Sequence, residues 1–140
     1  MNWINSLNQN KQKFLIRIYY EDTDSLGLVY YANYLKYFER ARTEFFRVMG
    51  YELNHISDIL KIYFVVRSCD LKFISPAKFN DEIEVISYIK RLKKEIIQFD
   101  QKIEIGGKVL VKSIINLACI SQTGHAIVLP DKIYNILKDK

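Results

Sequence analysis

Tyr30-Tyr-Ala-Asn-Tyr-Leu-Lys-Tyr-Phe-Glu-Arg-Ala-Arg-Thr-Glu-Phe-Phe-Arg-Val-Met49 carries its apolar residues in the rhythm of a helix. Tyr31, Tyr34, Leu35, Phe38, Ala41, Phe45, Val48 and Met49 recur mostly three or four residues apart and make one stripe. Glu39, Arg40, Thr43, Glu44 and Arg47 fall largely outside it, and Gly50 stands where a C-terminal cap is expected. Twenty helical residues span about 30 Å, enough to lie across a whole small sheet.

Beyond Gly50 the period changes from 3.6 to 2. Residues 62–74 read as a strand that stops before Pro76, and residues 82–91 as another. Residues 95–105 alternate most cleanly, with Ile97, Phe99, Ile103 and Ile105 on one face and Gln98, Asp100, Lys102 and Glu104 on the other. Gly106-Gly107 is a hairpin signal, and Lys108 to Ser121 supplies the return strand. A short strand near 125–129 and an amphipathic segment from Pro130 to Leu137 complete the chain. Upstream of the helix, Phe14 to Glu21 reads as a first strand and Asp22 to Leu28 as a loop. The expected class is α+β: a curved antiparallel sheet wrapped around one long helix, whose apolar stripe must be buried somewhere.

No linker or repeat divides the 140 residues, so one domain is expected over 14–140, preceded by a polar extension over 1–13. The N-terminal residues lack the continuous apolar core of a secretory signal, and no stretch approaches the roughly 20 apolar residues of a membrane-spanning helix. The expected location is the cytoplasm. A net charge of +5 is compatible with phosphate-bearing ligands or peripheral contact with an anionic membrane. The basic residues are dispersed and no zinc-finger, RNP-type or GXXG motif occurs, so no nucleic-acid partner is expected. Cys69 and Cys119 each sit in or beside an apolar run and are expected as buried free thiols.

Chemistry concentrates in Tyr20-Glu-Asp-Thr-Asp-Ser-Leu-Gly27, which sets Glu21, Asp22 and Asp24 shortly before the helix. The first N–H groups of a helix lack internal partners and carry the positive end of its dipole. A carboxylate facing such donors is what hydrolysis of an activated acyl group requires, since the donors can stabilise an oxygen that becomes negative. The alternative is a helix cap, but a cap adjoins the first helical residue. Asp24 stands about six residues ahead of the helix, with Gly27-Leu-Val29 between.

The stretch Arg17-Ile-Tyr-Tyr-Glu-Asp-Thr-Asp-Ser-Leu-Gly-Leu-Val-Tyr-Tyr-Ala-Asn-Tyr-Leu-Lys-Tyr-Phe-Glu-Arg-Ala-Arg-Thr-Glu44 resembles the signature of the YbgC-like branch of the 4-hydroxybenzoyl-CoA thioesterase family. Leu71-Lys-Phe-Ile-Ser-Pro-Ala-Lys-Phe-Asn-Asp-Glu-Ile-Glu-Val85 resembles its second block. The resemblance implies a hotdog fold and hydrolysis of acyl-CoA, with no cofactor. It makes Asp24 the catalytic carboxylate and the Tyr31 backbone N–H the donor to the thioester oxygen, with Tyr30 and Asn33 beside it as substrate-binding residues. It also implies a homo-oligomer, dimer or tetramer, with sites formed between subunits, and acyl carrier protein as a further partner. This chain departs from the YbgC-like pattern in carrying Tyr31 where His is usual, which leaves the backbone role intact and removes any imidazole from proton transfer.

Other candidates carry less. Arg91-Leu-Lys-Lys94 reads as a basic hairpin turn whose Arg91, Lys93 and Lys94 are candidate contacts for CoA phosphates. His55 and His125 are isolated, and neither has metal or triad spacing, so no metal site is expected. Cys119 is disfavoured as a nucleophile because an apolar strand destabilises a thiolate. Two other readings of the same fold are a non-catalytic binder of acyl chains or acyl carrier protein, and a dehydratase, which would be expected to place a histidine near the helix.

Overall fold

The computed structural model describes residues 11–138 in full and the backbone of residues 4–8. Seven strands form one antiparallel sheet: β1 (Ile4–Asn8), β2 (Lys11–Arg17), β3 (Ile62–Phe73), β4 (Glu82–Lys93), β5 (Ile96–Ile105), β6 (Lys108–Ser121) and β7 (Ala126–Ile127). Their order is β1-β2-β4-β5-β6-β3, with β7 added to β6. The helix α1 (Asn33–Val48) lies against the inner face, and α3 (Asp131–Lys138) follows the last strand. Between α1 and β3 runs α2 (Leu53–His55), continuing as a π-helical turn over Ile56–Leu60 that Lys61 ends in the left-handed region, with φ 59°. This is the expected α+β architecture, a sheet wrapped around one long helix.

The buried residues of α1 are Tyr34, Tyr37, Phe38, Ala41, Arg42, Phe45 and Phe46, one face of the helix in alternating steps of three and one. Leu35 and Val48, expected in the stripe, are exposed. The stripe as read leaves out Tyr37 and Arg42, which are buried with their polar ends inside the core. The opposing face of the sheet supplies Ile83 and Val85 from β4, Phe99 and Ile103 from β5, and Ile115 from β6. Phe45 meets Phe99 edge-on at 5.1 Å, and Phe46 stacks on Phe64 at 5.0 Å. The helix ends in a Schellman motif: Tyr51 N–H donates to the Phe46 carbonyl at 2.9 Å and Gly50 N–H to the Arg47 carbonyl at 3.0 Å. Gly50 adopts φ 95°, so the expected cap is the one used.

Several boundaries differ from the sequence reading. The first strand ends at Arg17 instead of Glu21, because its partner β4 begins at Glu82 and the Arg17–Glu82 pair closes the ladder. It also begins earlier, at Lys11, and residues 4–8 add a further strand, both within the expected polar extension. Residues 1–3, 9–10 and 139–140 of the expected spans lie outside the described residues. The basic segment at 91–94 is not a turn: β4 runs on to Lys93 past an irregularity after Ile89, and Lys94-Glu95 makes the turn. Cys119 is buried as expected, and burial pushes its thiol up to about 11. Cys69 is exposed instead. It pairs with Ile115 of β6 and sits on β3, the last strand in the sheet order.

One polar cluster lies inside the core. Arg42 is 7% exposed and donates to the Gln101 side-chain carbonyl at 3.0 Å, while the Gln101 amide donates to the Phe38 carbonyl at 3.0 Å and the Ser87 hydroxyl at 2.8 Å. Burial lowers the Arg42 pKa to about 10. Removing Gln101 strands a buried cation. Gln101→Ala is expected to cost about 2–4 kcal/mol, measured by urea unfolding; a midpoint equal to that of the parent would contradict this role.

Candidate active site

After Arg17 the chain leaves the sheet and must satisfy its backbone groups elsewhere. Residues 20–22 make a 3₁₀ turn, and residues 23–29 then form a miniature hairpin. Asp24 N–H donates to the Leu28 carbonyl at 2.8 Å, Gly27 N–H donates to the Asp24 carbonyl at 3.0 Å, and Thr23 bridges Val29. Gly27 takes φ 75°, a conformation that side chains disfavour. This hairpin docks on the segment before β4: Val29 N–H donates to the Ala77 carbonyl at 2.9 Å, and Phe79 N–H to the Gly27 carbonyl at 3.0 Å. The second block of the sequence therefore holds the first in place. Tyr34 adds a strut from the helix, its buried hydroxyl accepting the Ala77 N–H at 3.1 Å.

Asp24 does not cap α1; that helix has no side-chain cap bond at its first turn. The Oδ1 atom of Asp24 accepts the Leu26 N–H at 2.9 Å and the Leu28 N–H at 3.2 Å, an Asx-type clamp on its own loop. Among the described residues Oδ2 has no hydrogen-bond partner. Asp24 lines a cleft of about 420 Å³ with Tyr30, Tyr31, Tyr34, Phe73 and Pro76. The aromatic wall is continuous: Tyr31 meets Phe73 edge-on at 6.2 Å, and Tyr34 lies 5.8 Å from the same ring.

The helix begins at Asn33, three residues later than expected, through a tight turn in which Asn33 N–H donates to the Tyr30 carbonyl at 2.8 Å. Among the described residues the Tyr31 N–H has no acceptor, and Tyr31 is 63% exposed. The cleft thus holds a fixed carboxylate with one free oxygen and an unused backbone donor at a helix entrance.

Of the residues singled out from the sequence, the structure brings together Asp24, Tyr30 and Tyr31. Asn33 is outside the cleft, and its amide donates to the Asp22 carbonyl at 2.9 Å, tying the helix to the acidic loop. Arg91, Lys93 and Lys94 do not line the cleft either. Arg91 lies in a separate hollow with Tyr134, and Lys94 pairs with Asp131 of α3. Neither histidine reaches it: His55 lines an apolar hollow beside Ile59, and the His125 Nδ1 atom is 2.8 Å from the Thr123 hydroxyl in the β6–β7 turn. Sequence reasoning missed the opposite wall, Phe73 to Pro76. The sequence signal for it is the second block, Leu71 to Val85, which contains all four of these residues. Among the described residues no group of three or more metal-ligating side chains occurs, and no helix is long and apolar enough to cross a membrane.

A single helix cradled by an antiparallel sheet, with the acidic loop docked at the helix entrance, is the hotdog architecture. Residues 26–112 match the thioesterase superfamily, and the chain belongs to that family. It is 34% identical over 111 residues to the acyl-CoA thioesterase YbgC of Haemophilus influenzae, covering 79% of this chain and 82% of that protein. Identity with the Helicobacter pylori protein of the same name is 45% over 87 residues, 62% of each chain. Among solved structures, a probable thioesterase from Bartonella henselae superposes with a TM-score of 0.81 at 33% identity, over 84% of this chain and 98% of that one. The chain is a YbgC-like hotdog thioesterase.

Proposed function

We propose that this chain hydrolyses acyl-CoA thioesters with Asp24 as the catalytic carboxylate and the Tyr31 N–H as donor to the thioester oxygen. The observation that carries the reading is the free Oδ2 of Asp24 in the same cleft as that unused donor. The YbgC proteins of Haemophilus influenzae and Helicobacter pylori, named as acyl-CoA thioesterases, support the substrate class.

Two routes fit. In one, an oxygen of ionised Asp24 attacks the thioester carbonyl, the C–S bond breaks, and CoA departs as thiolate. Water then cleaves the mixed anhydride, releasing the acid and regenerating the carboxylate. In the other, Asp24 takes a proton from water as that water attacks, and the thiolate leaves with the proton returned to it. Both demand an unprotonated carboxylate, and a thiolate is a good enough leaving group to need no strong acid. That suits a cleft without histidine.

The site in this reading is completed by a second copy. Among the described residues β3 ends the sheet order with an unpaired edge of 12 residues, and its inward-facing Val66 and Phe73 are each 53% exposed. An exposed, apolar edge strand of this length is a template for pairing with another chain, and Phe73 is itself part of the cleft wall.

Asp24→Asn keeps the shape of the loop and removes the charge. It is expected to lower the rate of thiol release from acyl-CoA by about 100-fold or more, and hydrolysis at the parent rate would sink the assignment. Val66→Lys is expected to lower the solution mass measured by light scattering, whereas an unchanged mass would contradict pairing through β3.

A further inference from the structure

Asp22 stands two residues before Asp24 and does not line the cleft. It lines a separate hollow of about 410 Å³ together with Arg40 and Glu44. Yet Asp22 ties the loop to elements on both sides of it. Its backbone carbonyl accepts both the Tyr30 N–H at 3.0 Å and the Asn33 side-chain amide at 2.9 Å. Its Oδ2 accepts the Tyr19 N–H at 3.1 Å. These bonds join the end of the sheet, the acidic loop and the first turn of α1 at one residue.

One helical turn after Asn33, on the same face of α1, is Tyr37. Its side chain is wholly buried, packed edge-on against Tyr34 at 6.1 Å with the Arg40 guanidinium 5.8 Å from its ring. Its hydroxyl has no hydrogen-bond partner among the described residues. A buried hydroxyl without a partner costs free energy, and native structures keep few of them. The carboxylate that bears on this hydroxyl is Asp22: burial first, then the Asp22 charge, push its pKa well above the ordinary tyrosine value, so it stays a donor at any assay pH. The Asp22 side chain also acts on this hydroxyl as a hydrogen-bond acceptor, without reaching the geometry of a regular bond.

We propose that Asp22 and Tyr37 are positioning residues for the reaction at Asp24: the Tyr37 hydroxyl bears on the Asp22 carboxylate, steadies the loop, and so helps hold Asp24 opposite the Tyr31 N–H. The link is short and covalently continuous. Asp22 fixes Tyr30 through its carbonyl, Tyr30 adjoins Tyr31, and Asp24 is two residues downstream. Neither Asp22 nor Tyr37 lines the cleft. The loss on removing either therefore falls on turnover, because misplacing reacting groups by even 1 Å is costly while ground-state binding persists.

The inference rests on the thioesterase reading of Asp24, and the experiment separates the two. Tyr37→Phe deletes only the hydroxyl, and Asp22→Asn removes the charge while keeping an acceptor for Tyr19; both are assayed beside Asp24→Asn. In each positioning variant kcat is expected to fall roughly tenfold with KM unchanged, while Tyr37→Phe unfolds at an equal or higher urea concentration than the parent. A hydroxyl that only fills space gives the same or greater stability with parental kcat. If Asp24→Asn is inactive and either folded positioning variant turns over at the parental kcat, this inference is overturned. If Asp24→Asn itself retains parental activity, the reading of Asp24 beneath it has failed.

Discussion

Residues 22–29 leave the sheet while still carrying backbone donors and acceptors that must be satisfied, and the partners they find determine where Asp24 points. Three supports meet there. The start of α1 reaches back through Asn33 to Asp22, the segment before β4 reaches across through Ala77 and Phe79, and Asp24 folds onto its own loop through Leu26 and Leu28. The carboxylate is thereby built into a rigid element, which is what precise placement of a reacting group requires. Its free oxygen follows from the same count, because one oxygen takes both loop N–H groups.

The core explains why the helix entrance can serve as a site. Tyr34, Phe38, Ala41 and Phe45 anchor α1 along the inner face of the sheet, and the Schellman motif at Gly50 closes its far end. With the body of the helix locked, its first turn is free to open onto solvent without side-chain capping. Exposed tyrosines and an unused N–H at that end would be a liability in a helix held only by its own propensity. Here they become the wall of a cleft completed by Phe73, at the end of the edge strand.

The sequence made the architecture legible where periodicity was uniform. The alternation at 95–105, the glycine pair at 106–107 and the glycine after the helix all sit where the pattern places them. It misled at Arg42, whose guanidinium is buried along with its stem and donates to Gln101, so an apolar count passes over it. Strand ends were shifted because pairing, not composition, sets them, as Arg17 stops where Glu82 begins and β4 continues into the basic segment at 91–93. At the site, the two residues the motif singles out, Asp24 and Tyr31, line one cleft. Asn33 stands outside the cleft that its sequence neighbours Tyr30 and Tyr31 line, and its amide donates to a carbonyl eleven residues upstream. The opposite wall was hidden because it comes from residues more than forty positions away.

The central claim is a geometric one: a thioester bound in the cleft presents its carbonyl oxygen to the Tyr31 N–H with its carbonyl carbon facing Asp24. A crystal structure of the Asp24→Asn variant with an intact acyl-CoA tests it most directly. The expected result is a thioester oxygen about 2.7–3.1 Å from the Tyr31 nitrogen, with the side chain at position 24 on the face of the carbonyl. A thioester seated elsewhere, or one whose oxygen is turned away from the start of α1, would contradict the account.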